Sequence, residues 1–208
     1  DKKEHQFHYF NYIGSKVVPT SSTVWYHDNT ITVGDKAREN IFTFTGVPGH
    51  HFEKSIKSKL GTNESIDLFG EIIKPHTVAT QIISALKDEA NRNDLAKNAN
   101  VDLKKAVFTV PVNFTGEARK ELRKSANDAG IEVTTFIHEP FAAVVGYYFA
   151  QSTSTNHKDV INELEMLEGQ HILTFDWGGG TLDITVVLIN NGRMEELGTA
   201  ELTGLAGD

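Results

Sequence analysis

The stretch that most constrains the 208-residue chain is Phe175-Asp176-Trp177-Gly178-Gly179-Gly180-Thr181-Leu182-Asp183. An apolar run from Ile172 ends in an aspartate; three glycines follow, then a hydroxyl residue, then a second apolar run that carries Asp183. Apolar runs bounded by glycines read as two strands joined by a tight turn. Without Cβ atoms, that turn can take positive φ and come close to another group. Its successive main-chain N–H groups form a concave nest that favours an anion. Asp176 offers a carboxylate for metal-bound water, and Thr181 a hydroxyl for a phosphate oxygen. A plain hairpin needs at most two special turn residues, and extra glycines weaken it. Asp-x-Gly-Gly-Gly-Thr-x-Asp between two apolar strands therefore points to a phosphate–magnesium site.

Composition narrows the field. Hydrophobic residues make up 39% and charged residues 23%, as in an ordinary globular protein. A formal net charge of -8 with no basic run argues against nucleic acid or an anionic membrane as the main partner. There is no cysteine, hence no disulfide, thiol nucleophile or thiolate metal site, which suits a reducing cytoplasm. Neither a signal peptide nor an apolar run of membrane-spanning length is found. The chain starts at Asp1 without methionine and stops at Asp208, so the expectation is a piece of something longer.

Taken in order, Val17-Val18-Pro19 and Thr23 to Tyr26 read as extended, with an Asp28-Asn29 turn and a strand from Thr30 to Val33. Asp35 is a plausible N-cap for a helix from Lys36 to Ile41. Phe52 to Leu60 is basic and irregularly amphipathic, stopped by Gly61. Pro75 leads into the clearest helix, on which Val78, Ile82 and Leu86 recur every four residues to about Asn93. Ala106 to Val110 reads as a strand buried on both faces. Thr115 caps a helix with an Ala118, Leu122, Ala126 and Ala129 stripe, ended by Gly130. Ile131 to Ile137 is a strand, and Glu139-Pro140 opens a helix carrying Ala142, Ala143 and Gly146. Gln151 to Gln170 is a polar connection. After the glycine hairpin, Asn190-Asn191-Gly192 turns into a third antiparallel strand, Arg193 to Leu202. The pattern predicts a mixed α/β protein with two lobes.

No P-loop and no strand-borne Gly-x-Gly-x-x-Gly are present. The hairpin motif resembles the second phosphate loop of the actin-like ATPase (ribonuclease H-like) fold. Val110-Pro111-Val112-Asn113-Phe114 with Arg119, His138-Glu139-Pro140-Phe141-Ala142-Ala143, and Ser55-Ile56-Lys57-Ser58-Lys59-Leu60-Gly61 resemble segments of the 70-kilodalton heat-shock (DnaK-type) chaperone ATPase domain. MreB-like filament proteins share the glycine turn and a Glu-Pro-x-Ala-Ala element, whereas the Ser-Ile-Lys segment points to the chaperones. Mapped on that family, residues 1–104 are the outer part of a first lobe and 105–150 its inner part. Residues 151–170 are then the connection, and 171–208 open a second lobe.

The resemblance implies roles residue by residue. Asp176 would hold magnesium through water, with Glu139 ordering the same water shell. Gly178, Gly179, Gly180 and Thr181 would bind the β- and γ-phosphates of ATP or ADP, and Gly207 begins a further nucleotide-binding segment. Lys57 would reach the γ-phosphate and position the attacking water. Asp183 would lie near a second cation such as K+. Pro111 and Arg119 match positions that couple nucleotide state to a peptide-binding domain. That domain would bind unfolded polypeptides, with J-domain and nucleotide-exchange co-chaperones as further partners in the stress response. Without the resemblance, spacing alone favours reading Glu139 as a simple helix N-cap residue stabilised by the dipole. Lys57 with Lys54 and Lys59 reads as a solvated face, and Pro111 as a strand-end proline. His50, His51 and His138 lack ligand spacing and are assigned surface or packing roles.

Departures from the family are specific. Its first phosphate loop precedes the point where this chain begins, so the 208-residue chain alone is expected to hydrolyse little ATP. Trp177 stands where leucine is usual, His138 for asparagine, Gly116 for an acidic residue and Ala206 for glycine. Residues 61–75 are short for the family. Two other readings stay open: a non-hydrolysing scaffold or co-chaperone, and a filament-forming or small-molecule kinase relative.

Overall fold

The structure, a computed structural model, describes residues 20–92, 103–151, 165–177 and 181–203. It is a mixed α/β protein with several small sheets. The described residues fall into two compact units. One, the helical unit, lies within Phe10–Val107 and Phe114–Thr135; the other, the meander unit, within Phe108–Asn113 and Phe136–Asp208. Val17 to Pro19, Gly178 to Gly180, Gly207 and most of the 151–170 connection lie outside the described residues.

The helical unit begins with β1 (Val24–His27) and β2 (Thr30–Val33), joined by Asp28 and Asn29 at φ 48° and 58°. Both central residues at positive φ make the mirror-image turn whose twist matches the strands, and Asx residues tolerate it. α1 (Asp35–Glu39) and α2 (Ile41–Phe44) follow, then β3 (His50–Glu53), which pairs antiparallel with β1. Gly34, not Asp35, occupies the N-cap of α1. Asp35 lies in the first turn, and its Oδ1 instead accepts from the Ser21 N–H at 3.2 Å.

β1 is the central strand of three, so Val24, Trp25 and Tyr26 are all buried. On one face the Trp25 ring stacks on Phe52 and Phe44, and its Nε1–H donates to His50 Nδ1 at 3.1 Å. On the other, the Tyr26 hydroxyl donates to Gln81 Oε1. Burial, and secondly the nearby Glu53 carboxylate, push the Tyr26 phenol well above its ordinary range, so it remains a donor.

The basic segment after Phe52 divides into the end of β3 and a single turn, α3 (Ile56–Lys59). β4 (Ile66–Leu68) and β5 (Glu71–Ile73) form a hairpin not expected from the sequence, turned by Phe69 and Gly70 at positive φ. α4 (Pro75–Arg92) buries Val78, Ala79 and Ile83, while Leu86 is exposed: the core-facing stripe tilts away from the every-fourth-residue row. α5 (Gly116–Asp128) starts as the sequence predicts, Thr115 Oγ1 accepting from the Ala118 N–H at 3.1 Å.

Specific bonds join the two long helices. The Ser125 hydroxyl, fully buried, donates towards the His76 and Glu121 carbonyls at 2.9 Å each. Lys87 Nζ donates to the Ala129 and Gly130 carbonyls, satisfying the C-terminal end of α5 from α4. Gly61 shows why no side chain is allowed there: a Cβ would lie 2.4 Å from the Ala118 nitrogen, and φ is +75°. Its N–H donates to Glu121 Oε2 at 2.8 Å.

β6 (Lys105–Val110) and β7 (Glu132–His138) form a two-stranded sheet. The prediction that Ala106 to Val110 is buried on both faces is corrected. Val107 is 53% exposed and only Val110 is fully buried, because one row of β6 faces outward among the described residues.

In the meander unit, α6 (Glu139–Gln151) is followed by β8 (His171–Trp177), β9 (Thr181–Asn190) and β10 (Arg193–Thr203), ordered β10-β9-β8 and antiparallel. The β9–β10 turn is Asn191-Gly192, both at positive φ, and the Glu168 carboxylate accepts from both of their N–H groups. A small core of Leu167, Val187 and Ile189 gathers Phe141, Tyr148, Ile172 and Met194 around it. No helix among the described residues is long and apolar enough to cross a membrane.

Candidate functional site

Two neighbouring strands of the meander set the site. β8 and β9 pair so that Ile172 faces Val187, Thr174 faces Thr185, and Asp176 faces Asp183. Directly opposed residues of an antiparallel pair share one face, so these six form three rungs, apolar, hydroxylic and acidic. The hydroxyl rung is fastened: Thr174 Oγ1 donates to the Thr185 carbonyl at 3.2 Å, and the buried Thr185 Oγ1 lies 3.0 Å from Thr199 Oγ1 on β10. The acidic rung lies next to the last pair of the ladder, Trp177 with Leu182.

That face borders a cavity of about 520 Å³, and every lining residue belongs to the meander unit. Asp176, Asp183 and Thr185 line it from the sheet; Glu139 and Pro140 line it from the first turn of α6; Pro111 and Val112 close it further on. A carboxylate in the first turn of a helix is favoured by the unsatisfied N–H groups there, which accounts for Glu139 locally. Two cross-links hold the surroundings: Asn113 Nδ2 donates to Glu201 Oε2 at 3.0 Å, and His138 Nδ1 lies 3.1 Å from Glu196 Oε2. Both tie segments next to the cavity onto β10.

Two carboxylates directly opposed on a sheet repel. Hard oxygen donors in this number suit a hydrated divalent cation better than a buried cage. Among the described residues no three His, Asp or Glu side chains come together at direct metal-ligand spacing.

Of the residues selected from the sequence, Pro111, Glu139, Asp176 and Asp183 border the same cavity. Thr181 begins β9, in register with Thr203. Gly178, Gly179, Gly180 and Gly207 lie outside the described residues. Lys57, exposed on α3, and Arg119, whose Nε donates to the Phe114 carbonyl at 3.1 Å, belong to the helical unit. The histidines take part in packing and pairing: His50 accepts from Trp25, His51 meets Glu53, and His138 meets Glu196. Sequence reasoning passed over Tyr147 and Tyr148, which also line the cavity. The available signal was Tyr147 one helical turn beyond Ala143, which also lines it.

With this geometry in view, comparison with known proteins is decisive about kinship. The model of the Hsp70 protein family matches residues 10–208. The chain belongs to the Hsp70 family. It is similar to the chaperone protein DnaK of Mycoplasma mobile, 31% identical over 189 residues covering 91% of this chain and 28% of that protein. The chaperone protein DnaK of Ureaplasma urealyticum is 31% identical over 195 residues, 94% of this chain and 28% of its own length. That of Metamycoplasma hominis is 29% identical over 189 residues. The chain thus spans little more than a quarter of the length of these relatives, about 28%.

Proposed function

We propose that this chain is part of the nucleotide-binding domain of a divergent DnaK-type chaperone, with the two-lobed actin-like ATPase fold. It would bind ATP and ADP with magnesium and hydrolyse ATP to drive binding and release of unfolded polypeptide. The observation that carries the reading is the Asp176–Asp183 rung, which borders one cavity together with Glu139 in a member of the Hsp70 family.

Magnesium bound with the nucleotide would supply neutralisation of the charge spread over the phosphates. Asp176, at the end of β8, and Glu139, at the start of α6, are the residues suited to hold its water shell. Asp183 is suited to a second cation such as K+. Gly178 to Gly180 and Thr181 would donate main-chain and hydroxyl hydrogen bonds to phosphate oxygens. Lys57 would position the attacking water and meet the γ-phosphate charge. Hydrolysis of a phosphoanhydride is mainly positioning and charge neutralisation, so this set needs no covalent step on the protein. Pro111 and Arg119 would transmit nucleotide state to a peptide-binding domain, with J-domain and exchange partners in the cytoplasm.

The test is single-turnover hydrolysis and magnesium-ATP binding by the full-length protein, with and without Lys57→Ala. Retained binding with hydrolysis lowered by two orders of magnitude or more is expected. A full-length protein that binds no nucleotide would establish the scaffold reading instead. Unchanged hydrolysis in Lys57→Ala would remove Lys57 from the mechanism.

A further inference from the structure

Glu53 is a buried carboxylate that the nucleotide reading does not use. It ends β3 with its side chain only 8% exposed. Each oxygen has its own cationic or hydrogen-bonding partner at 2.8 Å: Oε1 meets His51 Nε2 on the same strand, and Oε2 accepts from Lys59 Nζ on α3. A carboxylate so placed costs desolvation and is retained only with partners of this quality.

What it grips is a one-turn helix. Four residues do not hold a helix by themselves, and the Ser55 N-cap makes no side-chain bond to this one. The chain enters α3 through Ser55 at φ 51°, a left-handed conformation that persists only when its surroundings over-determine it. Three fastenings do so. Ile56 and Leu60, one turn apart, are buried in the unit's core. Gly61, directly after, is wedged against Ala118 and bonded to Glu121. Lys59 is the third, held by Glu53. Lys57 stands two residues from Lys59, about 200° round the helix. The clamp on Lys59 therefore leaves Lys57 on the other side, exposed.

We infer that Glu53 is a positioning residue for Lys57: by pinning Lys59 to β3 it fixes the rotation of α3, and with it the direction in which the Lys57 ammonium is presented. This rests on the reading that Lys57 serves hydrolysis. It assigns a task to the third lysine of the segment, so that Lys57 and Lys59 are not interchangeable surface charges. Lys57 acts on the substrate, and Glu53 acts on Lys57 through Lys59.

The experiment is a double-mutant cycle in the full-length protein. Glu53→Gln keeps the shape of the side chain and removes its charge. Single-turnover hydrolysis should fall on the order of tenfold to a hundredfold in the Lys57 background, with magnesium-ATP affinity within about twofold. In the Lys57→Ala background the same change should cost nothing further, because there is no longer an ammonium to aim. A general loss of structure would cost the same in both. Amide hydrogen exchange should speed up across Lys57–Leu60 in Glu53→Gln while β1 amides keep their protection, and Lys59→Met should reproduce this if the first variant folds poorly.

Equal costs in both backgrounds, no cost in either, or unchanged exchange of α3 each overturn the inference. If Lys57→Ala itself leaves hydrolysis untouched, the nucleotide role of Lys57 fails, and exchange alone then decides whether the clamp exists.

Discussion

The chain has two tryptophans, and they lie at opposite extremes. Trp25, on the central strand of the helical unit, is 6% exposed; Trp177, at the end of β8 in the meander unit, is 66% exposed. Trp25 has its ring stacked with Phe44 and Phe52 and its N–H bonded to His50. Trp177 continues an exposed row of Leu173 and Phe175 on one face of β8. The helical unit spends its large side chains on its own stability. In the meander unit the burial lies on the Ile172–Val187 side, and the end bearing Asp176 and Trp177 is left accessible. The proposed site lies at this strand end, where an exposed aromatic stands beside an opposed acidic pair.

The comparison breaks most visibly on truncation. Trp25→Ala should destabilise the protein by about 3–5 kcal/mol, since it empties a packed site and orphans the His50 acceptor. Trp177→Ala should stay within about 0.5 kcal/mol of the parent. Thermal or urea unfolding measures both. Similar losses from the two changes would mean that the exposed row on β8 is covered in solution and that the contrast is false. Iodide quenching should single out Trp177, so that one exposed emitter disappears in Trp177→Phe.

A second, smaller effect tests whether the helical unit is fastened as tightly as its contacts imply. Gly61→Ala forces a side chain into the left-handed region and against the Ala118 backbone, costing about 2–3 kcal/mol. Gly192→Ala, at φ +66° with open space around it, should cost only about 1 kcal/mol. The ratio of the two losses separates backbone strain, common to both, from the close approach found at Gly61 alone.

Legibility followed range. The Thr115 cap, the Asp28-Asn29 and Asn191-Gly192 turns, and the strands on either side of the glycine cluster depend on residues within a few positions of one another. All were readable. The β4–β5 hairpin was not, because three-residue strands show no alternation and Phe69 is a poor advertisement for a left-handed turn. Double burial of β6 was predicted from its apolar letters, but burial depends on what covers each face, and Val107 is left outside. The site divides the same way. Asp176 and Asp183 flank a local motif, and Glu139 precedes a proline at a helix start. Glu53 and Lys59 are six residues apart across a strand end and a turn, and no spacing rule pairs them. Tyr147 and Tyr148 resemble any aromatic pair on an apolar helix.

The smallest expected effect is the most informative about the site, because its sign is unusual. Asp176 and Asp183 face one another across β8 and β9. Like charges so opposed destabilise a sheet by a few tenths to about 1 kcal/mol. Asp176→Asn should therefore raise the stability of the ligand-free protein by a few tenths of a kcal/mol. The gain should shrink as salt is added and the repulsion is screened. The same change should weaken magnesium–nucleotide binding, because an amide is a poorer partner for a hydrated cation than a carboxylate. Stability gained and binding lost together mark a residue kept for function at the expense of the fold. Trp177→Ala, one position away, should move neither quantity comparably. If Asp176→Asn instead destabilises the protein and leaves binding unchanged, the acidic rung is structural. The contrast between a self-sufficient helical unit and a site-bearing strand end would then lose its chemical meaning.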